Sequence, residues 1–537
     1  MREGHPRDEP ASAPGERLTR DLATPAAFAG DVGRVELLET HISRLFLTPR
    51  RVYKVKKPLR LDFLDYSTAE RRRAFCHEEV RLNRRLAPVT YLGVVPLTVD
   101  ALGRWRVAGD GAPREWAVEM RRLPAEGMLD RRLDRGAIDN AMLERIASLL
   151  AGFHRAADAG PEVRRHGTAE AVRTLIDDNL RELTPFVARS GPLPEPLHRF
   201  LATRARAFLG VSGTLLARRH DEGRVREGHG DLHAGNLCLT DDGWVVYDCI
   251  EFSRRFRCGD QALDLAFLAM DLDHRGFHAF SDYLVRRYAE LAEDPELPAL
   301  LPFYKAYRAA VRGKIACLRA EGAGEGARET ARREAAAYFQ LAASYDLGPA
   351  LILTCGLPAT GKSWTARALA SRWGSAWLRS DVRRKSLAGL PPTGPGDPRQ
   401  RVGLYSEVMT GRTYRSLRDR AADLLAQGRG VVVDATFSRA EQRAPFLELA
   451  RAHCVPAYVL HLDASEKAVR ERLAERTRDP AEPSDADLDV YLRARDRFEP
   501  PAEVAATSLL ETTTEGASPE DVVGELTLRR IAEEASS

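Results

Sequence analysis

The pattern of apolar and polar positions divides the first part of the chain into a β-rich section and a helical section. Alternating stretches predict a hairpin formed by HISRLFLT (41–48) and VYKVKK (52–57), with further strands in GVVPLTVD, RWRVAG and WAVEMRRL. From about residue 138 the pattern is mostly helical, with an interruption near 229–250. The sequence therefore predicts a small β lobe followed by a larger helical lobe.

The pattern changes again after residue 347. Residues 318–347 are rich in Ala, Glu and Arg and predict helix, and the dipeptide Gly348-Pro349 interrupts that helix. Beyond the break, helical stretches such as 412–427 alternate with the short apolar stretches LILTC, SAWLRSD, VVVDAT, AYVLHLD and ATSLLET. This alternation is typical of an α/β domain, in which helices cover both faces of a parallel sheet.

These patterns predict a tail and two domains. The start, MREGHPRDEPASAPGERLTR, is charged and Pro-rich and lacks the apolar core of a signal peptide, so we expect a disordered tail over residues 1–28. The first domain would then occupy residues 29–347 and the second residues 348–537. A chain of 537 residues is too long for one hydrophobic core, which agrees with two domains.

Composition narrows the class of protein. The chain is 44% hydrophobic and 30% charged, as is usual for soluble globular proteins. Its 81 basic and 78 acidic residues leave a net charge of +3, so no global basic field favours a nucleic-acid partner. The seven cysteines include no CxxC pair suited to zinc. The scattered cysteines favour a reducing cytoplasm. Since no apolar run approaches the ~18 residues of a membrane span, we expect no membrane partner.

One motif of the second domain is complete and lies in the expected context. The sequence GxxxxGK[ST] follows the predicted strand LILTC and precedes a helical pattern. In such a loop the backbone N–H groups surround phosphates, the lysine reaches the β- and γ-phosphates, and the serine holds Mg²⁺. The motif consists of Gly356, Leu357, Pro358, Ala359, Thr360, Gly361, Lys362 and Ser363. Without an NKxD guanine-reading motif, ATP is favoured over GTP.

Three further positions complete the predicted site of the second domain. Asp434 ends the apolar strand VVVDAT, where a carboxylate would lie near the magnesium ion. Asp381 ends the strand SAWLRSD, where it would face the γ-phosphate and orient or deprotonate an acceptor hydroxyl. Arg476, in a helix predicted over 465–477, is the candidate to close over the phosphates, with Arg470, Arg472 and Arg478 as alternatives. The domain resembles small P-loop kinases of the polynucleotide 5′-kinase, zeta-toxin and gluconate-kinase group.

The first domain carries the stretch EGHGDLHAGNLCLTDDGWVVYDCIEFS, residues 227–253. It resembles the HxDxxxxN motif and the later DFG-type aspartate of kinases, and its HGD form resembles aminoglycoside and choline phosphotransferases. The resemblance implies that Asp231 is the catalytic base and that Asn236 and Asp248 are metal ligands. Glu251 is a weaker candidate for contact with a second metal or the substrate.

The same resemblance implies a lysine on the third strand of the small lobe that anchors ATP. Lys54 and Lys56 lie on one face of VYKVKK; we prefer Lys54, and spacing does not separate them. The helical partner of this lysine would be Glu79 or its neighbour Glu78. The hairpin before it contains no glycine, unlike the phosphate-covering loop of protein kinases.

The whole chain resembles the bacterial proteins described as bifunctional aminoglycoside phosphotransferase-like and P-loop ATP-binding proteins. The stretches LDFLDYSTAERRRAFCHEEVRLNRRLAP, GHGDLHAGN and GLPATGKS carry this resemblance. It implies an α+β protein-kinase-like fold of the aminoglycoside phosphotransferase type, followed by an α/β P-loop kinase fold with a parallel sheet.

Three hypotheses about function follow. In the first, both domains use ATP and Mg²⁺ to phosphorylate a hydroxyl of a small-molecule acceptor. In the second, only the P-loop domain is a kinase, and the kinase-like domain has a regulatory or sensing role. In the third, the P-loop domain phosphorylates nucleic-acid ends; a basic groove beside Asp381 would favour this, whereas the nearly balanced net charge opposes it.

The number of nucleotide sites can be counted by calorimetry with Mg²⁺–ATP. We expect the wild-type chain to bind two nucleotides and Lys362→Ala to bind one, because the lysine serves only the P-loop. A wild-type stoichiometry of one that falls to zero in Lys362→Ala would instead mean that the kinase-like domain does not hold ATP unaided.

Overall fold

The computed structural model describes residues 14–30, 32–61, 64–188, 191–391, 403–476 and 488–536, without the side chains of Pro14, Arg476 and Ser536. By internal contacts the chain divides into two compact units. The first comprises Met1–Val172, Thr214–Leu268 and Tyr283–Leu297, and the second comprises Arg173–Gly213, Ala269–Asp282 and Pro298–Ser537. Each unit is described below by itself.

An antiparallel sheet forms the β lobe of the first unit, in the order β1-β2-β3-β8-β6-β7. The predicted hairpin is confirmed as β2 and β3, whereas β1 was missed. All four residues of β1 are exposed, so that no burial alternation marked it in the sequence. The strands of this region are β1 (Glu36–Glu39), β2 (Ser43–Leu47), β3 (Arg51–Lys56), β4 (Arg60–Leu61), β5 (Leu64–Asp65), β6 (Tyr91–Val99), β7 (Trp105–Val107) and β8 (Pro113–Arg121).

The expected tail over residues 1–28 is wrong for its described part. Residues Pro14–Leu22 form a helix, and a 3₁₀ turn follows at Pro25–Ala27. Leu18, Leu22 and Phe28 are buried in the core of the β lobe. The charged, Pro-rich composition hid these few apolar positions, which pack against the sheet. Residues 1–13 lie outside the described part.

A helical section follows the β lobe, as predicted, and the α+β kinase-like fold is confirmed. Its α-helices are Ala69–Asn83, Leu129–Asp134, Asn140–Ala156, Pro161–Arg164, Ala169–Leu183, Glu195–Val211, Gly213–Asp221, Arg254–Arg257, Gln261–His274, His278–Leu291, Leu297–Glu321 and Glu325–Ser344. Short 3₁₀ turns lie at Ala125–Gly127, Arg165–Gly167, Thr184–Phe186 and Ala234–Asn236. Two hairpin-like pairs interrupt the helices, formed by β9 (Val225–Glu227) with β12 (Cys258–Asp260) and by β10 (Leu237–Thr240) with β11 (Gly243–Val246). Among the described helices, none is both long and apolar enough to cross a membrane.

The second unit contains the predicted parallel sheet. Its five strands run in the order β14-β15-β13-β16-β17, and all of the pairings are parallel. They are β13 (Leu351–Cys355), β14 (Ala376–Arg379), β15 (Val431–Asp434), β16 (Ala457–Asp463) and β17 (Leu509–Thr513). The accompanying helices are Lys362–Trp373, Ser380–Leu387, Glu407–Ala426, Ala440–Ala452, Glu466–Arg476, Leu488–Arg495 and Pro519–Ser536.

The central strand β13 shows why this sheet is covered on both faces. Every residue of β13 is buried. Leu351 and Leu353 pack into one core cluster, and Ile352 packs into another, because successive side chains of a strand point to opposite faces. The chain leaves β13 toward β14 and β15 on one side and returns to β16 on the other. The crevice at the carboxyl end of β13 is therefore the expected ligand position of such a sheet.

Helices from before residue 348 belong to the compact unit that contains this sheet. His274 stacks on Tyr338 with ring centroids 3.8 Å apart, and Arg372 donates a hydrogen bond of 3.0 Å to the carbonyl oxygen of Ala337. Burial and the nearby Arg372 guanidinium lower the pKa of His274 to about 3. The domain boundary at 347/348 stays a prediction.

A buried ion network fixes the helical part of the first unit. Arg219 is almost completely buried and donates four hydrogen bonds, two to Asp260 (2.7 and 2.8 Å) and two to Asp294 (2.6 and 2.8 Å). Burial opposes the charge of Arg219, but these two carboxylates raise its pKa above the ordinary value. The network joins the helix Gly213–Asp221 to the end of β12, where the helix Gln261–His274 begins.

We expect Arg219→Leu to lower the free energy of unfolding by about 3 kcal/mol or more, because it leaves two buried carboxylates without a cation. The adjacent Arg218 provides a matched control, since its side chain is half exposed and pairs with Glu296 at the surface. Arg218→Leu should cost less than about 1 kcal/mol. Urea unfolding followed by circular dichroism measures both, and equal losses for the two variants would contradict the assigned role of the network.

Candidate active sites

In the first unit, Lys54 on β3 makes two ion pairs. Its Nζ lies 2.8 Å from Glu79 Oε1 and 2.6 Å from Asp248 Oδ1. Burial lowers the pKa of Lys54, but the carboxylates of Asp248 and Glu79 outweigh this effect and hold its pKa well above the ordinary value. Lys54 is therefore a fixed cation next to the aspartate that the sequence predicts as a metal ligand.

Lys56 lies on the same face of β3, as the two-residue period predicts, but deeper in the unit. Its Nζ is 2.6 Å from Glu79 Oε2 and also donates to Glu251, which accepts a second hydrogen bond from the Tyr66 hydroxyl. Since Lys56 and Glu251 are buried, neither faces a ligand position. The earlier suggestion that Glu251 contacts a metal or substrate therefore does not fit the structure.

Five charged side chains thus alternate in sign, in the order Asp248, Lys54, Glu79, Lys56 and Glu251; we call this set the charge chain. Asp248, at one end, is 45% exposed, whereas the other four are buried or nearly so. Burial alone would raise the pKa of Glu79, but the two lysines lower it below the ordinary value. With three acids and two lysines, the charge chain has one excess negative charge. Its exposed end, at Asp248, is the position that suits a cation.

The structure also distinguishes Glu79 from Glu78. Both lie on the helix Ala69–Asn83, but only Glu79 points to the lysines of β3. Glu78 instead accepts hydrogen bonds from Arg81 and from Arg257, at 2.9 Å for the latter. Spacing along the sequence did not separate the two acids, since one helical position differs by only about 100° of rotation.

The loop that carries Asp231 is held by Asp264. Its carboxylate accepts hydrogen bonds from the backbone N–H groups of His229 (2.7 Å) and Gly230 (2.8 Å) and lies 3.1 Å from His154 Nε2. Gly230 has φ of +83°, and a Cβ there would lie 3.0 Å from the carbonyl oxygen of Phe256. Burial opposes ionisation of Asp264, but these partners lower its pKa below the ordinary value. The loop is therefore fixed by a fully ionised carboxylate.

Asp231, Asn236 and Asp248 come together at the end of this loop. Asn236 Nδ2 donates to the carbonyl oxygen (3.0 Å) and to Oδ2 (3.2 Å) of Asp231. The Asp231 side chain is about one-third exposed, so that it can meet a ligand. Asp248 adopts a left-handed φ of +63°, which its N–H supports by donating to the Tyr91 hydroxyl at 3.1 Å. The backbone N–H of Tyr247, the residue before Asp248, donates to the backbone carbonyl oxygen of Asn236 at 3.0 Å, so the three residues named by sequence lie near one another, with Asp248 paired to Lys54.

In the second unit, the P-loop follows β13 and has the backbone that its motif predicts. Gly356 has φ of +138°, and a Cβ there would lie 2.2 Å from the carbonyl oxygen of Leu462. Gly361 has φ of +91°, and a Cβ there would lie 2.9 Å from Thr514. Ala359 also adopts a positive φ of 63°. The loop therefore requires glycine at these two positions, and it ends at the N-terminus of the helix Lys362–Trp373.

Lys362 and Asp434 lie beside this loop. The Lys362 Nζ donates to the carbonyl oxygen of Leu357 at 2.5 Å, so that the side chain folds back over the loop. Asp434 ends β15 as predicted and is 5% exposed. Burial raises the pKa of Asp434, while a hydrogen bond from Ser363 and the nearby Lys362 lower it in part. The serine and the carboxylate thus meet at one point, where the sequence predicts magnesium.

Asp381 lies on the same cavity, but not at the end of a strand. Strand β14 ends at Arg379, and Asp381 is the second residue of the helix Ser380–Leu387, a shift of two residues from the predicted position. Its Oδ1 accepts a hydrogen bond of 3.1 Å from Arg384 Nη1. The cavity, of about 1030 Å³, is lined by Lys362, Ser363, Asp381 and Asp434 together.

Of the predicted lid arginines, Arg472 contacts the P-loop. It donates to the carbonyl oxygen of Ala359 at 3.2 Å and to the Thr514 hydroxyl at 2.8 Å. Arg470 instead pairs with Glu466 on the surface of the same helix. The side chain of Arg476 and all of Arg478 lie outside the described residues, so the candidate role of Arg476 stays a prediction.

Both sites fit Mg²⁺–ATP in chemical terms. Within the described residues, no group of three or more His, Cys, Asp or Glu side chains is arranged to hold a metal. Each site instead offers two oxygen ligands, Asn236 with Asp248 and Ser363 with Asp434. Mg²⁺ commonly takes one or two protein ligands and completes its shell with water and substrate phosphates. Each pair lies near a lysine, which suits a phosphate chain.

Comparisons with known proteins agree with this arrangement. The Phosphotransferase enzyme family matches residues 45–303, and the AAA domain family matches residues 351–501. An uncharacterized protein of Mycobacterium tuberculosis strain H37Rv is 32% identical over 415 residues, which cover 76% of this chain and 80% of that protein.

Two solved structures are similar to parts of the chain. A choline/ethanolamine kinase family protein from Mesorhizobium loti is 16% identical with a TM-score of 0.40, covering 67% of this chain and 99% of that one. A gluconokinase from Sinorhizobium meliloti 1021 is 18% identical with a TM-score of 0.25, covering 35% of this chain and 94% of that one.

The adjacent acids Glu78 and Glu79 allow a matched test of the charge chain. In the Lys362→Ala background, which leaves only the first site, we expect Glu79→Gln to weaken Mg²⁺–ATP binding about tenfold, or about 1.4 kcal/mol, because Lys54 loses a fixed partner. Glu78→Gln should leave binding unchanged. Calorimetry measures the affinities, and thermal unfolding checks that both variants are folded. A loss with Glu78→Gln alone would contradict the assignment.

Proposed function

We propose that this chain, which belongs to the same family as its mycobacterial relative and joins a phosphotransferase-family region to a P-loop kinase region, is an ATP- and Mg²⁺-dependent phosphotransferase with two nucleotide sites. Each site would transfer the γ-phosphoryl group to a hydroxyl of a small-molecule acceptor. One feature supports both sites: each unit combines a lysine, two oxygen ligands and a carboxylate that can receive a proton, through direct contacts in the first unit and around one cavity in the second.

At the first site each of these residues would have one task. Lys54, held by Glu79 and Asp248, would bind the phosphates without moving, since its two ion pairs fix it. Asp231 would accept the proton of the acceptor hydroxyl. Asn236 donates to that aspartate through Nδ2, which leaves the side-chain oxygen Oδ1 of Asn236 for the metal. The magnesium ion, when bound, would neutralise charge on the phosphates.

At the second site the phosphates would lie in the backbone cradle of the P-loop, at the start of the helix Lys362–Trp373. Lys362 would leave its internal contact with Leu357 for the β- and γ-phosphates. Asp381 would orient the acceptor hydroxyl and take its proton, with Arg384 holding the carboxylate in position. No covalent intermediate is needed, because positioning and charge neutralisation carry phosphoryl transfer.

A second candidate function has a specific observation in its favour. The turn between β1 and β2, where protein kinases carry a glycine-rich loop, contains no glycine and is held by side chains. Thr40 Oγ1 accepts a hydrogen bond of 3.0 Å from the Ser43 N–H, and Lys57 donates to the carbonyl oxygen of Thr40 at 2.7 Å. A turn fixed in this way fits a regulatory or sensing role for the first unit, with the P-loop unit as the only kinase.

Two substitutions test the proposed bases separately. Asp231→Asn should lower transfer at the first site by about 10²–10⁴-fold, the range for losing a general base, and leave transfer at the second site unchanged. Asp381→Asn should do the reverse. Transfer of label from γ-labelled ATP to a panel of small alcohols measures both activities, and calorimetry checks that nucleotide binding is retained.

Exposed aspartates serve as controls for these variants. Asp242, 64% exposed beside the first site's loop region, and Asp419, 67% exposed on the helix Glu407–Ala426, should tolerate the change to asparagine. Full transfer activity in Asp231→Asn would remove the kinase proposal for the first site and favour the regulatory role. Full activity in Asp381→Asn would mean that another group takes the proton at the second site.

A further inference from the structure

The cavity of the second unit extends well beyond the P-loop. Part of its lining is Lys362, Ser363 and Asp434, which the proposed function assigns to the nucleotide and metal. The helix Glu407–Ala426 and the segment 490–497 also line it and have no part in the P-loop. We call this second part of the lining the acceptor end, because it is left for an acceptor that meets Asp381.

The acceptor end is lined by arginines. On the helix Glu407–Ala426, Arg415 and Arg418 lie three residues apart and so share a helix face. The segment 490–497 contributes Arg493 and Arg497, four residues apart. With Arg384 they form what we call the arginine wall, consisting of Arg384, Arg415, Arg418, Arg493 and Arg497.

Arg384 connects the wall to the proposed base. It is 8% exposed, its Nη1 donates to Asp381 Oδ1 at 3.1 Å, and its guanidinium lies 4.8 Å from the ring centroid of Tyr405. It lines the same cavity as Asp381. A guanidinium makes stronger hydrogen bonds to an oxyanion than to a neutral oxygen.

The other arginines of the wall have donors to spare. Arg415 Nε donates to the carbonyl oxygen of Gly411 at 3.4 Å, and Arg493 Nε donates to that of Asp489 at 3.2 Å. A guanidinium has five N–H donors, so that one such bond leaves several for a ligand. Arg418 pairs with the exposed Asp419, a partner that water screens. The acids that line this end are fewer than the arginines, so the local field is positive.

We propose that the arginine wall binds an oxyanion carried by the acceptor itself, so that the second site phosphorylates an alcohol that already bears a phosphate or a carboxylate. Because Arg384 contacts Asp381, an anion bound there would bring the acceptor hydroxyl next to the proposed base. A neutral or cationic acceptor would offer these guanidinium groups no charge-assisted partner. This inference rests on the proposed function of the second unit.

The probe for the wall is inorganic phosphate, titrated by calorimetry into the full chain saturated with Mg²⁺ and a non-hydrolysable ATP analogue. The analogue occupies the P-loop, so that any further binding reports another site. We expect one additional phosphate to bind, with at least tenfold lower affinity in the double variant Arg415→Gln/Arg418→Gln. The control is Arg420→Gln on the same helix, which is 57% exposed and outside the cavity. Acetate titrated in the same way distinguishes a preference for phosphate from one for carboxylate.

Turnover gives the second readout. Matched alcohols, each as the neutral compound and as its monophosphate, are offered with γ-labelled ATP to the wild type and to Asp231→Asn, together with a 5′-hydroxyl oligonucleotide. We expect the phosphorylated member of a pair to have at least a tenfold lower KM, rising in the double variant and with added salt while the KM for ATP is unchanged. Label on the oligonucleotide would place the phosphate beside the hydroxyl on a nucleic-acid end.

The outcomes separate this inference from the proposed function. If the analogue binds and neutral alcohols are phosphorylated as well as their monophosphates, with no phosphate binding, the inference is overturned and the kinase proposal stands. If the analogue does not bind at the P-loop, the proposed function of the second unit is wrong, and the inference that rests on it is wrong as well. Phosphate binding that is unchanged in the double variant would also overturn the assignment to the arginine wall.

Discussion

The carboxylate of Glu79 is the interaction on which the first unit's site depends. It holds Lys54 through one oxygen and Lys56 through the other, inside a buried region where each isolated charge would cost several kcal/mol. Such charges persist only when every one has a partner, and here Asp248 and Glu251 complete the pairing. Because each lysine has two acids, the position of Lys54 is over-determined before any ligand arrives, which is the pre-organisation that charge stabilisation in a transition state requires.

The second unit meets the same requirement with the backbone rather than with ion pairs. Its strand order places the chain reversal at β13, so that the crevice at that strand's carboxyl end is open to a ligand. Gly356 and Gly361 allow the loop to fold against Leu462 and Thr514, and its N–H groups form the phosphate cradle. The first unit fixes its lysine with buried ion pairs, whereas the second shapes its loop with glycines at positive φ. Loss of a charge should therefore disturb the first site, and loss of a glycine should disturb the second.

Sequence reasoning predicted the parts of these sites that short motifs define. The P-loop and the stretch from His229 to Asp248 carry their spacing within the chain, and the structure brings those residues together as expected. The helix Pro14–Leu22 and strand β1 were missed, because composition concealed the first and uniform exposure concealed the second. Which of two adjacent acids meets a lysine, or which arginines line one cavity, depends on contacts between distant segments. Such contacts leave no local periodicity to detect.

The nearly balanced net charge of +3 was an argument against a nucleic-acid partner, and the arginine wall shows why net charge alone does not decide whether a site binds anions. Net charge sums over the whole surface, whereas a ligand in a cavity meets only the groups within about one Debye length, ~8–10 Å. Arg384 lies next to Asp381 and lines the same cavity as the other arginines of the wall, so an acceptor there meets a positive local charge that distant acids do not offset. The first site, by contrast, ends in the excess negative charge of its charge chain at Asp248. That negative end is where the proposed magnesium ion would lie, so the preference for an anionic acceptor applies to the second site alone.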